Sequence, residues 1–311
     1  MELLFGIIVP IFGTLGIGYA AARFGWFDEA ANRGLSVFVF NFAIPLMLFR
    51  SIVQTELPER MPWGYLISYF GGASVVFCGA MLAGRVLFSR RLDEQAVLGL
   101  GASFSNTAML GIPLVVTAYG PAAALPLFAL VACHGLVLLP PTTILVEASR
   151  GGGQSIAKLL WALLKGVLTT PIIWGLSAGL AFAIGGVTIP APLDSIAKGM
   201  AAAAAPCALF ALGASLTRYR LGGNLSEPLI LVTLKTIVHP LLVWLLATRV
   251  FHVPDLWAVV AVTLAALPAG VTPYLFAQRY QVVNASIAST VFLSTLFSVV
   301  SLSVLLFIMR G

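Results

Sequence analysis

Two stretches of this chain set small polar side chains among glycine and proline, inside otherwise apolar sequence. The first is Ser103-Phe104-Ser105-Asn106-Thr107-Ala108-Met109-Leu110-Gly111-Ile112-Pro113. The second is Leu267-Pro268-Ala269-Gly270-Val271-Thr272-Pro273-Tyr274. Proline removes a backbone donor and clashes with the preceding turn, and glycine tolerates the dihedral angles of an unwound segment. Both stretches are therefore expected to interrupt a helix. A half-helix that starts afresh after a break exposes free N–H groups and a positive dipole end, which suit an anion. Ser105, Asn106, Thr107, Pro113, Pro268, Thr272, Pro273 and Tyr274 thus form the candidate solute-binding set. The competing explanation is that the prolines only kink helices for packing. Two interruptions at matched positions, one with a Ser-Asn-Thr cluster, favour the binding site.

A few further side chains bear chemistry. Lys235 lies about eight residues into an apolar run. It could pair with a carboxylate solute, or its stem could snorkel to the interface. His134 and His239 are proton-relay candidates, with satisfied packing histidines as the alternative. Asn41 and Tyr274 stand beside prolines and would line the solute path or bond between helices. No Asp or Glu falls mid-run, since Glu147 and Glu227 sit near run ends, so a carboxylate proton relay has no support. Neither paired mid-run aspartates nor an HExxH zinc spacing occurs, which argues against known intramembrane enzymes. A Ser103 or Ser105 dyad with His134 stays open. A receptor would have no need of twin breaks, and a channel would call for a charged ring or repeated filter. Cys78, Cys133 and Cys207 lie in apolar runs without CxxC or metal spacing and read as small buried hydrophobes.

The elements that position these residues follow from composition. Hydrophobic residues make up 60% of the 311 and charged residues only 9%, too few to clothe a water-exposed surface, so much of the surface must face lipid. The net charge of +6 resides in short loops rather than on an aromatic-interleaved face, which excludes nucleic-acid reading. A spanning helix needs about 20 apolar residues. Suitable runs fall near 3–22, 35–53, 64–88, 95–119 and 122–146. After the Gly151-Gly152-Gly153 run come 160–184, 196–217, 227–250, 256–278 and 286–309. The first run opens without a basic leader or a small-residue cleavage site and is read as a span. Of the seventeen Lys and Arg residues, all but Arg50, Arg60, Lys198, Arg249 and Arg310 fall in or beside odd-numbered loops, Lys165 and Lys235 included. The positive-inside rule then makes those loops cytoplasmic and both termini external.

The sequence also repeats. Pro45-Leu46-Met47-Leu48-Phe49 in the second run answers Pro206-Cys207-Ala208-Leu209-Phe210 in the seventh at an offset of 161. The fourth run opens at Asp93 and the ninth at Asp255, at an offset of 162. Counting about 1.5 Å per residue from those aspartates puts Asn106 and Pro268 roughly 18–20 Å along, near mid-membrane. Five helices per copy is odd, so the second copy enters the membrane inverted, an arrangement typical of secondary transporters. The expected fold is all-α and integral to the membrane. It has ten transmembrane helices in two inverted five-helix repeats, residues 1–150 and 151–311, with helices 4 and 9 broken.

On these residues the chain resembles the auxin efflux carrier family, the bacterial relatives of the plant PIN carriers, along essentially its whole length. The resemblance rests on Asn41 to Pro45, on Ser105-Asn106-Thr107 through Gly111-Ile112-Pro113 and on Ala211-Leu212-Gly213-Ala214. It also rests on Lys235 with Pro240, and on Pro268 to Ala277 followed by Gln278-Arg279-Tyr280. It implies a scaffold of spans 1, 2, 6 and 7 and a moving, elevator-like transport body of spans 3–5 and 8–10, in which spans 4 and 9 cross at their breaks. By position it selects Asn106, Pro113, Thr272 and Pro273 for the site. The chain departs from the pattern at Thr272, where members often carry asparagine. The implied activity is alternating-access transport of a small organic anion, a carboxylate or auxin-like acid, across the inner membrane. The alternative is sodium-coupled symport of a larger amphipathic anion, as in the related bile-acid symporters. No cofactor is implied. Na⁺ or H⁺ coupling, uniport and a homodimer stay open.

Overall fold

The computed structural model describes residues 2–55, 61–151, 156–219, 221–222 and 224–310. Gly152, Gly153, Arg60 and Arg220 lie outside the described residues. The chain begins with α1 (Glu2–Arg23), α2 (Glu29–Phe38), a π-turn (Val39–Ala43), α3 (Ile44–Val53) and α4 (Trp63–Phe88). Next come α5 (Leu92–Ser103), a second π-turn (Thr107–Gly111), α6 (Ile112–Tyr119), α7 (Ala124–Ser149), α8 (Ile156–Leu168) and α9 (Pro171–Ile184). The remainder is α10 (Ala191–Leu216), α11 (Ser226–Thr233), a π-turn (Leu234–Val238), α12 (His239–Leu245) and a last π-turn (Leu246–Val250). These are followed by α13 (Asp255–Ala266), α14 (Thr272–Tyr280) and α15 (Asn284–Arg310). No strand occurs among the described residues. Helix is the expected outcome, because hydrocarbon offers no partner to an unpaired N–H or C=O.

Seven helical runs among the described residues are long and apolar enough to cross a membrane: Gly6–Arg23, Glu29–Val53, Trp63–Phe88, Pro121–Ser149, Ala191–Leu216, Ser226–Val250 and Asn284–Met309. This is a multi-pass integral membrane protein. The runs near 95–119, 160–184 and 256–278 are each built from two shorter helices: α5 with α6, α8 with α9, and α13 with α14. Pro171 is the first residue of α9, where its missing N–H carries no penalty, and α8 ends three residues earlier.

The π-turns have a visible cause in the sequence. Three of the four end two residues before a proline: Pro45, Pro113 and Pro240. Proline supplies no N–H and its ring pushes away the carbonyl one turn back. The helix ahead of it widens, so that Ile44 N–H bonds Val39 C=O and His239 N–H bonds Leu234 C=O, each five residues back. Asn41, Thr107 and Lys235 all sit in these widened turns. Pro206, inside α10, produces no such turn, so proline alone is insufficient.

The chain divides into two compact units. The first comprises residues 1–61, 108–132 and 166–218, and the second residues 62–107, 133–165 and 219–311. Inside the first, α1 lies on α10 and α3 on α9 with backbone against backbone. A Cβ on Gly18 would overlap the Phe210 carbonyl, one on Gly213 the Leu15 carbonyl, and one on Gly175 the Pro45 carbonyl. Small residues permit such approach, which is the usual basis of helix association in lipid. The second unit has an apolar nucleus of Ala73, Phe77, Leu100 and Leu138.

One end of the second unit is tied by charge. Arg90 makes a two-pronged bond to Glu227, with Nε to Oε1 at 2.9 Å and Nη2 to Oε2 at 3.0 Å, and Ser286 Oγ donates to the same carboxylate. The Glu227 hydrogen bond holds the Arg90 guanidinium above its already high ordinary pKa. Asp93, fully buried, pairs with Arg91 at 3.0 Å and with Arg150 at 3.4 Å. Tyr280 donates its hydroxyl to Glu147 at 3.2 Å. The α4–α5 turn, the ends of α7 and α14 and the starts of α11 and α15 thereby gather at one place.

Candidate functional site

α5 and α13 are each 12 residues long and stop inside the second unit, after Ser103 and Ala266. The segments that follow meet. Asn106 N–H donates to Pro268 C=O and Gly270 N–H donates to Phe104 C=O, both at 2.9 Å. Ser105 and Ala269 thereby form an isolated antiparallel bridge. Each break thus supplies the partners that unwinding costs the other, which is how irregular backbone survives away from water. Gly270 eases the approach: a Cβ would lie 3.2 Å from the Ser105 carbonyl and 3.0 Å from the Phe104 ring, closer than ordinary contact. Ala269 N–H goes to Ser294 Oγ at 3.0 Å, and Thr107 N–H to Ser105 C=O at 2.8 Å.

The first break lies at residues 104–106, six or more residues before Pro113. Pro113 itself is the second residue of α6, where a missing N–H is harmless, so it widens the turn ahead of it and does not break the helix. The second break does contain Pro268. Thr272 and Pro273 open α14, and Tyr274 follows, half-buried. Ser105, Asn106 and Thr107 are buried at the first break.

Behind the breaks lies a cluster of buried polar groups. The Tyr69 hydroxyl donates to Ser105 Oγ at 2.9 Å and lies 3.1 Å from His134 Nε2. Tyr69 therefore stands between Ser105 and His134. Ser103 instead donates to Gly99 C=O at 2.9 Å. Neither of these serine hydrogen bonds runs to the histidine, as that of a nucleophile–base pair would.

The Tyr69 ring also meets His239 edge-on, with centroids 5.1 Å apart. Lys235 is fully buried, which overturns snorkelling. Its Nζ donates to Ala265 C=O at 2.6 Å and lies 3.2 Å from His239 Nδ1. Asn41 is placed elsewhere. It belongs to the first unit, exposed, and lines a shallow groove with Phe42, Pro45, Leu46, Trp174 and Gly175.

Sequence reasoning missed Tyr69 and Ser294. Nothing marks Tyr69 among the aromatics of its run. Ser294 had a signal in the Ser286, Thr290, Ser294 and Ser298 series, which recurs every four residues along α15 and is wholly buried.

Comparison with known proteins agrees with this architecture. A protein of Rhizobium meliloti (strain 1021) named "Putative malonate transporter" is 27% identical over 306 residues, covering 98% of this chain and 96% of its own. The "Uncharacterized transporter YfdV" of Escherichia coli (strain K12) is 25% identical over 314 residues, with 98% and 97% covered. Auxin efflux carrier component 3a of Oryza sativa subsp. japonica is 30% identical over 123 residues, 37% of this chain and 19% of that protein. The family described as "Membrane transport protein" matches residues 3–306, so the chain belongs to that family, which includes the auxin efflux carriers.

Proposed function

We propose that the chain is a secondary transporter that carries a small organic anion through the membrane by alternating access. The observation that supports this most is the antiparallel pairing of two interrupted helices over a buried polar cluster. Asn106, Thr107, Thr272 and Tyr274 would contact the solute, and the half-helix start at Thr272 would face its negative charge. A dicarboxylate is the first class to try, given the name of the Rhizobium relative. The polar cluster bears no described Asp or Glu beside the breaks that would repel such a solute.

Ten spans in two inverted repeats fit this reading. α5 and α13 have equal length and are offset by 163 residues at both ends. The ion pairs fit too. With ten spans, Arg50–Asp194 joins even-numbered loops, whereas Arg218–Glu29, Arg90–Glu227 and Arg150–Asp93 join ends on the odd-numbered side. None of these pairs mixes the two. Spans 1, 2, 6 and 7 would be the scaffold and spans 3–5 and 8–10 the transport body, in the inner membrane with both termini outside.

The test is uptake or exchange of radiolabelled malonate, other dicarboxylates and indole acids in liposomes, with and without sodium. Asn106→Ala should lower exchange about tenfold at unchanged expression, because a hydrogen bond lost inside a closed pocket is worth about 1–2 kcal/mol. Unchanged exchange in that variant removes Asn106 from the site, and no exchange of any acid removes the reading.

A further inference from the structure

The carbonyl end of α13 draws on a donor from outside its own helix. The last carbonyls of any helix lack intrahelical donors and carry its negative dipole end. Ordinarily the residues just past the end fold back and supply N–H groups. At the end of α5 this happens, because Phe104 N–H returns to Leu100 C=O at 2.9 Å. At α13 the residues after Leu267 are committed elsewhere. Pro268 has no N–H, Ala269 N–H goes to Ser294, and Gly270 N–H goes to Phe104. The end is also wholly buried, since Leu264, Ala265 and Leu267 have no exposed surface and Ala266 almost none.

The donor present is Lys235, whose Nζ reaches Ala265 C=O at 2.6 Å from a different helix run. The π-turn Leu234–Val238 sets it on the inner face, and Pro240 is the sequence reason for that turn. His239, one turn on, presents Nδ1 at 3.2 Å as a neutral acceptor. The groups around the amine are therefore a helix carbonyl end and an imidazole nitrogen, both electron-rich. The neighbouring titratable groups are Tyr69, against the His239 ring, and His134, against the Tyr69 hydroxyl. Buried Asp93 and Glu227 have arginine partners of their own. This donor set suits an amine or a small cation, and the side chain found in it ends in an amine.

We propose that Lys235 is a tethered stand-in for a cation. Its amine fills the position at the α13 carbonyl end that a coupling metal ion would otherwise take, and so holds the second break in shape without sodium. This rests on the transporter reading only for the word coupling, because occupancy of the position is a property of the folded chain. Two consequences follow. The wild-type protein gains nothing from sodium at this place. Shortening Lys235 leaves a small cation-accepting hole, which a free amine of matching size can fill and a bulky one cannot.

The experiment follows the unfolding midpoint of the purified full-length chain in detergent, at constant ionic strength, in sodium chloride against choline chloride. The wild type should give the same midpoint in both. Lys235→Ala should fall by roughly 5 °C or more. Methylammonium or ethylammonium should restore much of that loss by binding only the folded state, while choline, too large, should not. A wild-type midpoint raised by sodium overturns the proposal. So does Lys235→Met at wild-type stability, or a loss in Lys235→Ala that neither amine relieves. If Lys235→Ala does not fold, Lys235→Met and the wild-type sodium comparison decide. None of these readings involves a solute. Failure of every acid in the exchange assay would strike the transport reading and leave this one standing.

Discussion

The two units are built from opposite materials. Of the 22 buried polar or charged side chains among the described residues, Asn32 and Ser215 belong to the first unit and all the others to the second. The first unit holds itself together by helices in backbone contact at Gly18, Gly175 and Gly213. The second carries both helix breaks, the Tyr69–Ser105–His134 cluster, Lys235 and an ion-paired end. Glycine contacts admit no rearrangement without loss of close packing, whereas hydrogen-bonded breaks can exchange partners. The difference is one of material, glycine contacts against buried polar pairing, and substitutions can test it.

The largest effect is expected in the first unit. Gly213→Leu puts a branched side chain where even a Cβ would overlap the Leu15 carbonyl. α1 and α10 must then separate, and overpacking of this kind costs about 3 kcal/mol, or roughly 10 °C in unfolding midpoint. An unaltered midpoint would show that the contact at Gly213 is dispensable and would break the comparison at its strongest point.

Next is Glu227→Gln in the second unit. The carboxylate is nearly buried and accepts from Arg90 twice and from Ser286. Losing its charge leaves Arg90 half-satisfied at a cost of about 2 kcal/mol, reduced from the fully buried case because Arg90 is a third exposed. Denaturant or thermal unfolding checks this. A loss beyond that of Gly213→Leu would mean that charge, not glycine contact, dominates stability.

Ser294→Ala sharpens the contrast within the second unit. Its hydroxyl accepts from Ala269 N–H, and without it that donor is stranded at the bridge. About 1 kcal/mol of stability should go, a smaller loss than for Glu227→Gln. Solute affinity should fall several-fold, because the loosened segment carries the bridge. A fall in stability with unchanged solute titration would separate the bridge from the site.

Much of this was legible in the sequence, and the failures have physical reasons. The spans follow from length and apolarity, and the breaks from small polar residues with Pro268 and Gly270. Pro113 misled because a proline's effect depends on its place in the turn: at the second position of α6 it widens the preceding helix and interrupts nothing. Lys235 was ambiguous because its depth in the run allowed either an interfacial or a solute-facing amine, and its burial removes only the first. Only the three-dimensional path of α13 supplies the carbonyl it caps. Asn41 and Asn106 look alike as asparagines beside prolines, yet one is exposed in the first unit and the other buried in the second. Burial of a single polar residue in an apolar run is set by neighbours distant in sequence, which local pattern does not encode.

The smallest effect tests the first unit from its charged side. Arg50 and Asp194 pair at 2.7 Å between α3 and α10, with about a quarter and a third of their side chains exposed. Water and salt compete for such a pair, so Arg50→Met should cost less than about 1 kcal/mol, and high ionic strength should erase the difference. The measurement is the midpoint of wild type and variant at low and high salt. A loss larger than that of Glu227→Gln would reverse the order argued here. α3 and α10 would then be held chiefly by their charged ends, and charge rather than close packing would set the first unit's stability.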